Sequence, residues 1–303
     1  KCGDFAGTCG EPGEGRPGPA FEPCFSYCES GFPAAWRYWH TGSGRFPLLV
    51  FPQGKTVTKG VIDLILSERL TRIASFVPKG LVVADIGTDH ALLPIYLVLE
   101  GISPRVIACD LHPGPLESAK ANVFLYKLAK NIEIRQGDGL KALDPGDTAV
   151  IVIAGMGGAK IREILETSPA VLDGVFRMIL QPQGGAGIVR RWLFDHNWQI
   201  IDEDLVLEHD NYYEIIISEP LGDIKTMGID KKPSRKEREL LEIGPCLVEK
   251  KHPLLIPLLQ KKIKLAENVL KSLRHAKTPA ARKMRQEWRR KILLFRRVIE
   301  NVS

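Results

Sequence analysis

The stretch Leu81-Val82-Val83-Ala84-Asp85-Ile86-Gly87-Thr88-Asp89-His90-Ala91 decides the fold. Apolar, strand-forming residues run into a tight acidic turn at Gly87. Open parallel sheets bind ligands beyond the carboxyl ends of their strands, and the first turn needs a residue without Cβ where backbone and ligand approach closely. Gly87 supplies it. A dinucleotide fingerprint would continue G-x-G-x-x-G, whereas Asp89 stands at the second glycine position, where its carboxylate repels a pyrophosphate.

Outward from that turn the pattern repeats. Arg105 to Asp110 is a second β-rich segment whose terminal acid suits two ribose hydroxyls. Ile132 to Gln136 ends in Gly137-Asp138-Gly139, placing a carboxylate where it can accept from an adenine amino group. Ala149 to Ala154 opens into Gly155-Met156-Gly157-Gly158, an exit that admits a planar base, and Phe176 to Leu180 ends in Gln181-Pro182-Gln183-Gly184-Gly185. Helical stretches separate these strands, so an α/β fold is predicted. Asp85 and Asp89 favour a cofactor bearing an ammonium and a sulfonium, which points to S-adenosylmethionine and away from a nicotinamide dinucleotide. Asp89 also suits an N-cap for a helix beginning near Ala91, and His90 suits structural packing at the turn as well as catalysis.

Five motifs carry a family resemblance. They are Leu66-Ser67-Glu68-Arg69-Leu70, Ala84 to Ala91, Gly137-Asp138-Gly139-Leu140, Ile153-Ala154-Gly155-Met156-Gly157-Gly158, and Leu180-Gln181-Pro182 with Arg190-Arg191-Trp192-Leu193. With these the chain resembles the bacterial tRNA (adenine-22-N1)-methyltransferases, the TrmK family, from about Leu66 to Glu219 and more loosely beyond. Ala108-Cys109-Asp110-Leu111 departs from the Gly-Glu of many relatives, keeping the acid but shortening its reach. The resemblance implies a Rossmann-like class I methyltransferase sheet of seven strands, S-adenosylmethionine as cofactor and adenine N1 of tRNA as target. The cofactor set is then Asp85, Gly87, Asp89, Asp110, Asp138, Gly139, Ala154, Gly155, Met156 and Gly157. Asp89, His90, Gln181 and Tyr213 are the candidate catalytic residues, with Tyr213, Met156 and Pro182 as walls for the base. A catalytically idle RNA-binding protein on the same scaffold is the alternative, as is methylation of another RNA base.

Beyond the fifth strand, Ile188 to His196 reads as a helix carrying Arg190, Arg191 and Trp192. Trp198 to Leu207 and Tyr212 to Ser218 alternate across His209-Asp210-Asn211, a β-hairpin that completes the seven strands. Before the first strand, Lys59 to Phe76 is spaced as a helix with Ser67, Glu68 and Arg69 facing outward, where Arg69 and Arg72 could reach a phosphate.

The 303 residues are 44% hydrophobic with a formal net charge of +6, and the mean hydropathy is −0.06. Two domains are expected at this length. No apolar run approaches the roughly 18–20 residues of a membrane span, and no basic stretch precedes a secretory apolar core. A cytoplasmic monomer without membrane contact is expected. The charge is uneven. Leu221 to Ser303 holds 22 Lys and Arg against 9 Asp and Glu, a net of +13, whereas the preceding 220 residues hold 20 against 27. A polyanion partner follows, because Lys and Arg displace counterions from phosphates.

That basic tail is ordered. Leu259, Ile263, Ala266, Leu270 and Leu273 form one apolar stripe, and Met284, Trp288, Ile292, Phe295, Ile299 and Val302 form another. Thr278-Pro279 between them reads as an N-cap with proline at the first helical position. A C-terminal antiparallel helical hairpin over residues 221–303 is predicted as the tRNA-binding part, following a methyltransferase domain over 55–220. Arg69, Arg190, Arg191, Lys261, Lys262, Arg285, Arg289 and Arg290 are the candidate RNA contacts.

The first 54 residues contain ten Gly and seven Pro and show no periodic segment. Cys2, Cys9, Cys24 and Cys28 lack the paired C-x2-C spacing of a zinc site, so no metal is expected. Ten aromatics in this stretch, and no methionine before Met156, suggest an extension upstream of the enzyme proper, dispensable for folding and methyl transfer.

Overall fold

The computed structural model describes residues 36–41, 44–49, 64–222 and 234–302. Within the first 61 residues, which form one unit, β1 (Trp36–Thr41) and β2 (Gly44–Leu49) pair as an antiparallel hairpin. No periodic segment was expected there, since neither strand alternates apolar and polar residues along its length. Cys2, Cys9, Cys24 and Cys28 lie outside the described residues.

Residues 62–303 form the second unit. Its sheet runs through β3 (Val83–Ile86), β4 (Val106–Asp110), β5 (Ile132–Gln136), β6 (Val150–Met156), β7 (Arg177–Pro182), β8 (Trp198–Glu208) and β9 (Asn211–Pro220). The spatial order is β5-β4-β3-β6-β7-β9-β8, and β9 alone is reversed, antiparallel to both β7 and β8. This is the predicted seven-stranded, Rossmann-like arrangement. Strand order reverses between β3 and β6, which creates the crevice where open α/β sheets hold ligands. The central strands are buried on both faces, as their continuous apolar runs require. Ile86, Ile107, Ile151, Ile153, Met178 and Leu180 point to one layer, and Val83, Val106, Val150, Val152 and Ile179 to the other.

Helices α1 (Glu68–Ser75), α2 (Leu92–Leu99) and α3 (Pro113–Leu125) cover one face. The other is covered by α4 (Gly158–Thr167), α5 (Pro169–Leu172) and α6 (Ala186–Asp195). Ser67 caps α1 by accepting from the Leu70 amide at 3.3 Å. The capping role expected of Asp89 is not observed. Ala91 precedes α2 in a left-handed conformation (φ 53°) with no side-chain cap, and this turn leaves the Asp89 carboxylate exposed beside His90 Nε2 at 3.3 Å.

The C-terminal region adds α7 (Arg235–Ile243), α8 (Pro245–Glu249), α9 (Leu255–Ser272) and α10 (Pro279–Val302). Helices α9 and α10 form the predicted hairpin, and Thr278 Oγ1 accepts from the Ala281 amide at 3.2 Å as an N-cap does. Its root is a core: Leu255, Leu258, Leu259, Phe295, Val298 and Val302 pack with Leu205 of β8 and Tyr212 of β9. Burial fades toward the tip, and Met284, expected in the seam, is 45% exposed because the sheet does not extend beneath that end.

Candidate active site

Strand β3 delivers Asp85, and the turn after it opens at Gly87 with φ 82°. The Gly87 and Thr88 amides donate to the Cys109 carbonyl at 2.8 and 2.9 Å, which ties the tips of β3 and β4 together. A Cβ at Gly87 would lie 2.2 Å from Met156 Cε, so the Met156 side chain crosses directly over the glycine. Burial pushes the Asp85 carboxyl up to about 6; Thr88 opposes this by hydrogen bonding, Asp110 adds like-charge repulsion, and Arg69 lowers it slightly. Asp110 at the end of β4 accepts from the His112 amide at 2.8 Å through one oxygen. Two carboxylates thus converge at a Cβ-free turn, an arrangement suited to a cationic ligand with a ribose.

A second cluster lies across the crevice, at the tips of β6 and β7. Ala154 pairs with Gln181 and Met156 with Pro182, so Gly155 is a bulged extra residue with φ 78°. Its amide, freed from the ladder, donates to Gln181 Oε1 at 3.2 Å. Arg69 Nη1 donates to the same oxygen at 2.7 Å, and its guanidinium lies 5.2 Å from the centroid of the Tyr213 ring. Arg69 therefore points inward to the strand tips, contrary to the expected outward face. The spacing Leu66, Arg69, Leu70, Ile73 places it on the buried side of α1, a signal the sequence did contain. Arg72 pairs with Asp204 and lies over Phe76.

Other sequence candidates have different surroundings. The Asp138 carboxylate pairs with Lys141 at 2.9 Å and Lys160 at 3.7 Å, and the Lys141 hydrogen bond first among these holds it below the ordinary carboxylate range. Gly139 is buried with φ 62°, and its own Cα faces Ile164, 2.9 Å from where a Cβ would sit. Asp89 and His90 are exposed, while the His90 carbonyl accepts from Asn122 at 2.9 Å. Arg190 cannot meet a phosphate: it is 0% exposed, held by Glu203 at 2.5 Å and Glu214 at 2.8 Å. Lys262 is likewise engaged, by Glu214 at 2.5 Å. Lys261 donates to the Asp210 carbonyl at 2.5 Å, and Arg285 to the carbonyls of Leu273 and Ala276 at 2.6 and 2.7 Å, closing the end of α9. Arg191 is half-buried, whereas Arg289 and Arg290 stand exposed on α10.

Residues 66–216 match the family described as a methyltransferase domain. A segment of 157 residues, 52% of the chain, is 43% identical to the tRNA (adenine(22)-N(1))-methyltransferase of Bacillus subtilis (strain 168) and covers 66% of that protein. The crystal structure of the B. subtilis M1A22 tRNA methyltransferase TrmK aligns with a TM-score of 0.69 at 34% identity, covering 78% of this chain and 100% of that one. M. capricolum TrmK in complex with S-adenosyl-homocysteine aligns with a TM-score of 0.65 at 28% identity, over 78% and 99%. Sheet order, acidic glycine turn and matched domain together define a Rossmann-like methyltransferase. The similarity extends over whole crystallised chains and through the helical hairpin. This chain belongs to the TrmK family.

Proposed function

We propose that the protein methylates N1 of adenine 22 in tRNA with S-adenosylmethionine, as a cytoplasmic monomer that needs no metal. The single observation that carries this reading is the buried Asp85 beside Gly87 at the switch point, with β6 between it and the strand that carries Gln181 of the Gln181, Arg69 and Tyr213 cluster. When bound, the cofactor supplies an electrophilic methyl group on a cationic sulfur. Asp85 and Asp110 hold the cofactor's positive and hydroxyl-bearing parts, Gly87 gives it backbone clearance, and Asp89, Asp138, Gly139, Ala154, Gly155, Met156 and Gly157 complete the candidate wall. Adenine N1 is a neutral lone pair, so no base or Lewis acid is required, and alignment together with electrostatic support for the cationic product dominates. N1 lies on the Watson–Crick edge, so the base must leave its stack, and Tyr213, Met156 and Pro182 are its proposed walls. Among the described residues no helix is long and apolar enough to cross a membrane.

Incubating the protein with methyl-labelled cofactor and bulk tRNA, then mapping the labelled nucleoside, tests the reading. Label on N1 of adenine 22 supports it; no transfer to tRNA overturns it. Cofactor affinity should rise as pH increases through about 6 and level off near 7, because the Asp85 anion attracts the cationic ligand and protonation removes that attraction. Below that value the loss is at most about tenfold per pH unit. Calorimetry on the wild type and on Asp85→Asn checks it, and the variant should show a flat profile over the same range.

Residues 1–54, 55–220 and 221–303 are proposed as a dispensable extension, the catalytic domain and the RNA-gripping part. Because the hairpin root shares a core with β8, substitution tests this better than truncation. Reversing the charge at Arg289 and Arg290 together should weaken tRNA binding about tenfold or more and lower the salt slope by about two, leaving cofactor affinity unchanged. An unaltered slope, read from binding titrations at several salt concentrations, would remove α10 from the interface.

A further inference from the structure

Gln181 is 0% exposed, and its Oε1 is saturated by two groups that only donate, the Arg69 guanidinium at 2.7 Å and the Gly155 amide at 3.2 Å. Neither can accept, so the carboxamide has one permissible orientation: oxygen inward, Nε2 turned away from them. Nε2 is buried without a hydrogen-bond partner. A buried amide donor left unpaired costs about 1–3 kcal/mol, a penalty that a ligand acceptor would lift. Arg69 is itself fixed by Tyr213 at 5.2 Å and by Glu208, whose carboxylate lies 3.9 Å from Nε. The orientation is therefore imposed from outside the glutamine.

We propose that Gln181 Nε2 donates to a ring nitrogen of the target base away from the reacting edge, N7 or N3 of adenine, and that Arg69 is the positioning residue that keeps this donor outward. This rests on the reading of the site as an adenine-N1 methyltransferase. A carboxamide with its oxygen already occupied cannot accept from the exocyclic amine, so recognition runs through an acceptor on the base. Contact at N7 or N3 leaves the N1 lone pair free for the methyl group. Because Nε2 is covered, the base must displace a neighbouring side chain to reach it.

The test uses the full chain and tRNA carrying adenosine, 7-deazaadenosine or 3-deazaadenosine at the target position, in single-turnover methyl transfer. The wild type should lose about 10–100-fold on one deaza substrate and little on the other, which also identifies the edge. Gln181→Glu keeps the size and the Arg69 contact but removes the donor; it should be about 10–100-fold slower on adenosine and no slower still on the deaza substrate that impairs the wild type. Arg69→Met, which frees the carboxamide to rotate, should lower the rate and blunt the deaza discrimination, with Arg69→Lys partly restoring it. A native far-ultraviolet circular dichroism spectrum and a cooperative thermal transition serve as folding controls that all variants should keep. Equal rates on all three substrates by the wild type would overturn the contact, as would full deaza discrimination in Gln181→Glu. Unchanged discrimination in Arg69→Met would overturn the positioning role. Failure of the wild type on unmodified tRNA would instead refute the proposed reaction.

Discussion

Replacing Arg190 by methionine is expected to destabilise the protein by about 3–5 kcal/mol, the usual cost of breaking a buried ion pair from one side. For a unit of this size that lowers the thermal midpoint by about 10 °C. Its Nε donates to Glu203 Oε1 at 2.5 Å and its Nη2 to Glu214 Oε2 at 2.8 Å. Glu203 also accepts from the Cys246 amide at 2.9 Å, and Glu214 from Lys262 at 2.5 Å, so one guanidinium joins α6, β8 and β9 to α8 and α9. Without it, Glu203 is a buried carboxylate with no cation in contact. The pH dependence distinguishes this from simple loss of packing. Burial pushes the Glu214 carboxyl up, but Lys262 and Arg190 outweigh that and hold it below the ordinary range. Its wild-type contribution is thus present above the unfolded value of about 4.3 and lost as pH falls through the lower folded value. In the variant a carboxylate deprived of its cation shifts the other way, so the deficit should shrink as pH falls from 7 toward 5. Denaturant titrations at both pH values check this, and a loss below about 1 kcal/mol with no pH dependence would refute the account.

Gly158→Ala is expected to cost about 3 kcal/mol, at the upper end for overpacking, and to lower the thermal midpoint by about 6–12 °C. A Cβ there would lie 2.3 Å from the Gly185 carbonyl oxygen, 2.8 Å from its carbon and 2.9 Å from the Gly184 oxygen. These are backbone atoms, and the Gly158 amide already donates to Gly184 at 2.7 Å, so the two loops can separate only by losing that bond. Since the same loops follow the tips of β6 and β7, methyl transfer should fall as well. Gly157 is the internal control. Nothing lies within 4 Å of its would-be Cβ, and Gly157→Ala should cost about 1 kcal/mol or less, the price of a weaker N-cap. Similar melting of the two variants would show that the glycine contact is not tight.

The sheet was legible because its signals are local. Apolar runs end in glycine at Gly87, Gly155 and Gly184, and each is a strand whose two faces are both buried, while the edge strand before Gly137 alternates and is only half-buried. The hairpin helices were legible for the same reason, through periodic stripes and Thr278-Pro279. What the sequence concealed is pairing at long range. Arg190 stands in an Arg-Arg pair that reads as a phosphate clamp, yet one residue faces two glutamates and its neighbour does not. Arg69 meets a glutamine 112 positions away, and Asp138 meets Lys160 across a helix. Charge says that a residue needs a partner without saying whether that partner is a phosphate or a carboxylate, and only the fold decides between them. Asp89 failed as a cap because Ala91 adopts φ 53°, a choice no propensity for alanine would suggest.

Strand β9 carries Tyr213 and Glu214 in succession, and successive side chains of a strand face opposite ways. One lies against Arg69 at the pocket; the other grasps Lys262 on the hairpin. No loop lies between them to absorb displacement. The contact against Arg69 and the grip on the hairpin are therefore joined through a single peptide unit.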